Sequence, residues 1–174
     1  MFQQLPVACS MMAELGAEVI KIGRPGTGER GRHIGQVQGK VVSPYFETNN
    51  RGLKCLTVDI QKKKGTEILY KLVKGADIFA ENFRPGVAVR HHFAYEDLEK
   101  INPGIIYLSS SAYGPDGPNA LLPGVDAVAQ AAGGIASLYG EKSSRMMTVS
   151  MPLPTKPVPW WLLSLSWLPC TIRK

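Results

Sequence analysis

The 174-residue chain has only three cysteines, Cys9, Cys55 and Cys170, and no two of them form a CxxC pair. Their scatter argues against a disulfide framework and a zinc site, and it fits a reducing compartment. Three histidines are present: His33 stands alone and His91-His92 are adjacent. None has Asp and Ser partners at triad spacing, so they read as solvated or core-edge residues and no metal site is expected. Long apolar runs are missing too. The stretch 158–170 is too short and too rich in proline to span a bilayer, and no secretory leader precedes the globular pattern. The expected location is the cytoplasm, or an organelle matrix if a targeting segment is missing. No basic stripe with interleaved aromatics occurs, so neither nucleic acid nor membrane is an expected partner.

What is present suits one ordinary domain, with 44% hydrophobic residues to fill a core. The formal charge is +6, but the last 24 residues hold Lys156, Arg173, Lys174 and no acid, so half of the excess lies there. The remaining +3 suits either a nucleotide-phosphate ligand or a lysine-rich surface.

Apolar residues at helical spacing over Leu5–Leu15, stopped by Gly16, predict a helix. Glu18–Ile22 then reads as a strand, followed by a loop rich in Gly and Arg. Tyr45–Asn50 reads as a short extended piece and Cys55–Ile60 as a second strand. Lys62–Val73 carries charge on one face and Ile68, Leu69, Leu72 and Val73 on the other, an amphipathic helix. Ala76–Ala80 is a buried strand, Val87–His92 and Tyr95–Ile101 are short helical segments, Ile105–Ser110 is a last strand, and Asp126–Gly133 starts another helix. The alternation predicts an α/β, Rossmann-like, mostly parallel sheet flanked by helices. A doubly wound sheet normally opens on a strand, and none precedes the first helix.

The strongest motif is Glu81-Asn82-Phe83-Arg84-Pro85-Gly86, at the end of a strand. Asn82 offers a donor and an acceptor, and Phe83 a flat face on which an adenine can stack. A turn with a core phenylalanine and an Asx cap explains the same residues. Arg24, just after a strand in Gly23-Arg24-Pro25-Gly26-Thr27-Gly28, can fork onto a phosphate. No helix opens immediately behind those glycines, so they are a poor dinucleotide fingerprint. Asp126, at the start of a helix, can cap first-turn N–H groups and complement the helix dipole.

Three segments, Leu15–Ile22, Ala80–Gly86 and Pro123–Gln130, resemble in order and spacing the N-terminal part of the class III CoA-transferases. That family includes formyl-CoA and carnitine CoA-transferases and is related to the α-methylacyl-CoA racemases. The resemblance runs from about Gln3 to about Ser150. It implies that Asn82 and Phe83 line a CoA groove, that Arg24 and Arg90 contact CoA, and that Val58 and Gln61 stand at two further CoA-lining positions. Gln61 falls where the formyl-CoA relative carries lysine, and Gly23 replaces a usual glutamate. Gln3 matches a glutamine near the active site. Asp126 aligns with an acidic position beside it, which implies a supporting catalytic role. The coenzyme A thioester is a substrate and no permanently bound cofactor is implied. A small carboxylic acid is the acceptor, and intact members form interlocked homodimers.

Family members attack the acyl-CoA with an aspartate, passing through an acyl-aspartyl anhydride and an aspartyl-CoA thioester. The matching region here, 149–156, contains no acid. From Met151 the composition changes: Trp160, Trp161 and Trp167 and five of the thirteen prolines lie in this tail, with neither α nor β periodicity. Read one base out of frame, with permitted synonymous codons, 151–174 can encode an Ala-Asp-x-x-x-Gly-type segment and an alanine-rich amphipathic helix. The expectation is a partial CoA-binding domain over 1–150, lacking its first strand and later domain, and an out-of-frame tail over 151–174. Such a chain would be marginally stable and inactive in transfer. A non-enzymatic CoA-binding fragment and an apolar interaction tail are the alternatives. A racemase-like fragment is another, but Val125 stands where the racemase Gly-His-Asp triplet has histidine. Sequencing the gene should reveal a shift near the Ser150 codon; one uninterrupted frame encoding Trp160-Trp161 in independent isolates would contradict it.

Overall fold

The computed structural model describes residues 4–35 and 43–140. Helix α1 (Gln4–Glu14) leads to strand β1 (Ile20–Gly23), a 3-10 turn at Arg30–His33, α2 (Pro44–Asn49), β2 (Lys54–Thr57), α3 (Lys63–Val73) and β3 (Ile78–Glu81). Then come α4 (Val87–Arg90), α5 (Tyr95–Leu98), β4 (Ile106–Ser109), α6 (Asp126–Ala132) and α7 (Ile135–Gly140). Gly16 ends α1 as expected. It takes φ +98°, a left-handed value cheap only for glycine, while the Ala17 N–H returns to the Met12 carbonyl at 3.0 Å.

All described strand pairing is parallel. β1 pairs with β2, Ile20 opposite Lys54, and β3 with β4, Ile78 opposite Ile106. The α/β class is as expected, but among the described residues the strands form two separate two-stranded sheets. No described strand joins the two pairs.

Strand alternation sets the layers. Ala80 and Leu108 pack against Leu5 and Ala8 of α1. Their strand neighbours Phe79 and Tyr107 turn the other way, onto a core of Leu69, Val73, Phe93, Leu98 and Ile105. Leu98 is fully buried and Phe93 is 1% exposed. Helices therefore cover both faces of the β3–β4 pair, as burying both sides of a parallel pair requires. Asn102 ties the layers: its Nδ2 donates to the Val73 and Ala76 carbonyls at 3.1 and 2.7 Å, and its Oδ1 accepts the Gly104 N–H.

The 45–50 segment is helical rather than extended. The Ser43 hydroxyl accepts the Phe46 N–H at 3.2 Å, and Pro44 stands in the first turn where no donor is needed. That cap outweighs the strand preference of Tyr45, Phe46 and Thr48. β2 is also shorter than expected. The Val58 N–H still reaches the Gly23 carbonyl at 3.0 Å, but Asp59 then accepts the Gln61 N–H and turns the chain. α4 stops at Arg90, before His92, the one described non-glycine residue with positive φ.

Gly65 tests how closely α3 sits on this framework. Alanine there would gain about 1 kcal/mol of helix propensity. Its Cβ, however, would lie 1.9 Å from the Asp59 carbonyl oxygen, a backbone atom that cannot swing aside. Overpacking of this kind costs about 1–3 kcal/mol, so urea denaturation of Gly65→Ala should show a net loss of stability.

Candidate functional site

Two cavities open at the carboxyl ends of the two parallel pairs, where α/β proteins hold ligands. The smaller, of about 220 Å³, lies beyond β1 and β2. Its wall includes Lys21, Arg24, Gly28, Arg32 and Cys55. The Gly28 N–H donates to the Arg24 carbonyl at 2.9 Å, closing the loop that carries Arg24. Gly28 has φ +62°, and a Cβ there would press on the Arg32 side chain at 3.0 Å. The Arg32 guanidinium lies 3.8 Å from the centre of the Phe46 ring, a cation–π contact that places it. Lys21 is neutralised locally by Glu29 and bonded to Asn50. Arg24 is exposed and makes no ion pair among the described residues.

The larger cavity, of about 730 Å³, lies beyond β3 and β4. Phe83, Tyr95, Tyr107, Tyr113, Glu81 and Ser110 are among its lining residues. Phe83 is 43% exposed, but its inner side meets buried Phe93 at 5.6 Å between ring centres. Phe93 in turn meets Phe79 at 6.2 Å, and Phe79 stacks with Tyr107 at 5.4 Å. Phe83 is thus a supported aromatic plate with a face left for a ligand. Burial, first, and then the charge of Glu81 and a hydrogen bond to it push the Tyr107 hydroxyl pKa up. Glu96 and Asp97 add to the same effect.

The expected site residues are divided between these places. Arg24 lines the smaller cavity and Phe83 the larger; Val58, Gln61, Asn82 and Arg90 line neither. Val58 is 7% exposed and Gln61 is on the surface. Asn82 is half-buried, and Arg90 is exposed at the end of α4. Gln3 and the acid-free stretch 149–156 lie outside the described residues. Asp126 does not cap α6. Val125 holds the cap position, and Asp126 Oδ2 instead accepts from Gln130 Nε2 at 2.6 Å. Its Oδ1 is buried and makes no hydrogen bond. The reason is Gln130, 1% exposed one turn along, which draws the carboxylate sideways along the helix.

Sequence reasoning missed Arg32, Tyr107 and Gln130, and treated Glu81 only as part of a turn. A glutamate closing an apolar strand signals a partner, though the sequence does not say which one. His33 meets the Thr27 carbonyl at 3.3 Å, His91 stacks on Phe93, and the His92 carbonyl accepts the Tyr70 hydroxyl. Among the described residues no three metal-ligating side chains converge, and no helix is long and apolar enough to cross a membrane.

The raised Tyr107 pKa has a definite sign. As pH climbs past the ordinary value of 10.0, the unfolded phenol ionises while the folded one stays neutral. Protons then leave the unfolded state first, which favours unfolding. Tyr107's contribution is therefore intact below pH 10.0 and is lost as pH rises through the folded value. Melting temperatures measured from neutral to strongly alkaline pH should fall less steeply in Tyr107→Phe than in the unaltered chain.

The chain is 42% identical over 135 residues to an acetyl-CoA:oxalate CoA-transferase from Acetobacter aceti, covering 78% of this chain and 34% of that protein. It is 39% identical over 135 residues to the succinyl-CoA:glutarate CoA-transferase of Mus musculus, covering 78% and 31%. A crystal structure of a CAIB/BAIF family protein from Brucella suis superposes with a TM-score of 0.89 at 30% identity, covering 99% of this chain and 46% of that one. The chain thus spans about a third of the length of the curated relatives it matches. The sequence pattern of CoA-transferase family III matches residues 2–156, and the chain belongs to that family.

Proposed function

We propose that this chain is the CoA-gripping part of a class III CoA-transferase, and that alone it binds CoA without transferring it. The observation that carries the reading is the complementary chemistry of the two cavities. A guanidinium loop closes one, and a supported, half-exposed aromatic plate lines the other. CoA has phosphates for the first and an adenine for the second. Arg24 takes a phosphate and Phe83 stacks on the base. Asn82, Arg90, Val58 and Gln61, none of them in either cavity wall, and Gln3 are the further CoA contacts that the family resemblance implies. Asp126, with its unbonded buried oxygen, is the supporting residue near the transfer site.

The intact protein would move CoA from an acyl-CoA donor to a small carboxylic acid through an aspartyl intermediate. Relatives named for oxalate and glutarate support that acceptor class. It would be a homodimer in the cytoplasm or an organelle matrix. Leu121 and Leu138, 77% and 75% exposed, are apolar surface such an assembly would cover. In this chain residues 1–150 form the binding domain, 151–174 are an out-of-frame tail, and 149–156 hold no carboxylate to attack a thioester.

Calorimetric titration with CoA tests the reading. Saturable binding is expected, weakened about tenfold in Arg24→Ala through loss of a charge-assisted phosphate contact. Asn82→Ala should weaken it as well, and a succinyl-CoA plus oxalate assay should show no transfer. Absence of CoA binding would overturn the reading, and turnover would overturn the claim of inactivity.

A further inference from the structure

Glu81 is a carboxylate only 6% exposed, and it takes part in none of the ion pairs of the described residues. Removing such a group from water is unfavourable unless strong hydrogen bonds offset it. Its bonds all converge on one place. Glu81 Oε2 accepts the Phe83 backbone N–H at 2.7 Å, and the Glu81 carbonyl accepts the Ser110 N–H at 3.0 Å. From the neighbouring strand, Tyr107 lines the same cavity wall as Glu81. The residue therefore spans β3, β4 and the turn after β3.

A carboxylate is acceptor-only, and Glu81 gives one oxygen to the turn while its backbone carbonyl closes onto the residue after β4. The turn bond holds the Phe83 backbone on one side while Phe93 backs its ring on the other. We infer that Glu81 is a positioning residue for coenzyme binding: it fixes the Phe83 amide and so sets the exposed ring where adenine stacks. The inference rests on the CoA-binding reading above and adds to it a buried residue that need not touch the ligand's base.

The test uses the full chain and two ligands, CoA and 4′-phosphopantetheine, which lacks the adenosine. Glu81→Ala should weaken CoA about tenfold and leave 4′-phosphopantetheine within about twofold, because only the base-stacking contact is lost. Glu81→Gln retains an acceptor for the amide and should bind CoA within about threefold of the unaltered chain. In the Phe83→Ala background, Glu81→Ala should cause no further loss beyond about twofold, since both changes remove the same contact. Multiplicative losses, or equal weakening of both ligands, would overturn the assignment and make Glu81 a general structural residue. If Glu81→Ala loses its cooperative melt, Glu81→Leu decides, since it fills the same space but offers the Phe83 amide no acceptor. About threefold weaker CoA binding supports the inference, and unchanged affinity overturns it. Failure of the unaltered chain to bind CoA would remove the underlying reading, whereas equal binding by unaltered and Glu81→Ala chains overturns this assignment alone.

Discussion

The parallel register that sets Glu81 opposite Ser109 governs the larger cavity. Because β3 and β4 end at the same level, the turn after one and the loop after the other leave the sheet side by side. Glu81 and Tyr107 can then meet across the pair, and the Ser110 N–H can close it at the Glu81 carbonyl. A slip of β4 by one residue would send Tyr107 to the α1 face and Leu108 into the core, while Phe79 and Ala80 stayed in place. The aromatic series from Tyr107 through Phe79 and Phe93 to Phe83 depends on that same alternation. It carries rigidity from the fully packed core out to a ligand-facing ring.

The two cavities differ in electrostatics as well as in size. In the smaller, Lys21 is already compensated by Glu29 and Arg32 lies over the Phe46 ring, whereas Arg24 is exposed and in no ion pair among the described residues. An exposed guanidinium adds little to stability. The larger cavity has two carboxylates, Glu81 and Glu96, in its wall beside Arg84. It is therefore a poor seat for phosphate and a better one for a flat base or an amide chain.

Much of this was legible in the chain. The amphipathic spacing of 62–73, the Gly16 stop and the apolar strand runs place α1, α3 and all four strands to within a few residues. The local signals that failed were of two kinds. At 44–49 the strand preference of Tyr45, Phe46 and Thr48 pointed to an extended piece, but the Ser43 cap followed by Pro44 makes it helical. At 126 a carboxylate in the first turn suggested capping, but the buried Gln130 one turn on took it instead. The remaining misses are non-local. Nothing in the order of residues says that Tyr107 will meet Glu81, or that Arg32 will lie on Phe46, because both contacts come from strand register and loop closure.

The account stands on one claim, that the two cavities are parts of a single coenzyme site. Amide NMR spectra of the isotopically labelled chain, recorded as CoA is added, address it directly. The account requires saturating shifts in both Arg24–Gly28 and Phe83–Gly86, with one common dissociation constant. Shifts confined to one loop, or two loops saturating at different concentrations, would contradict it.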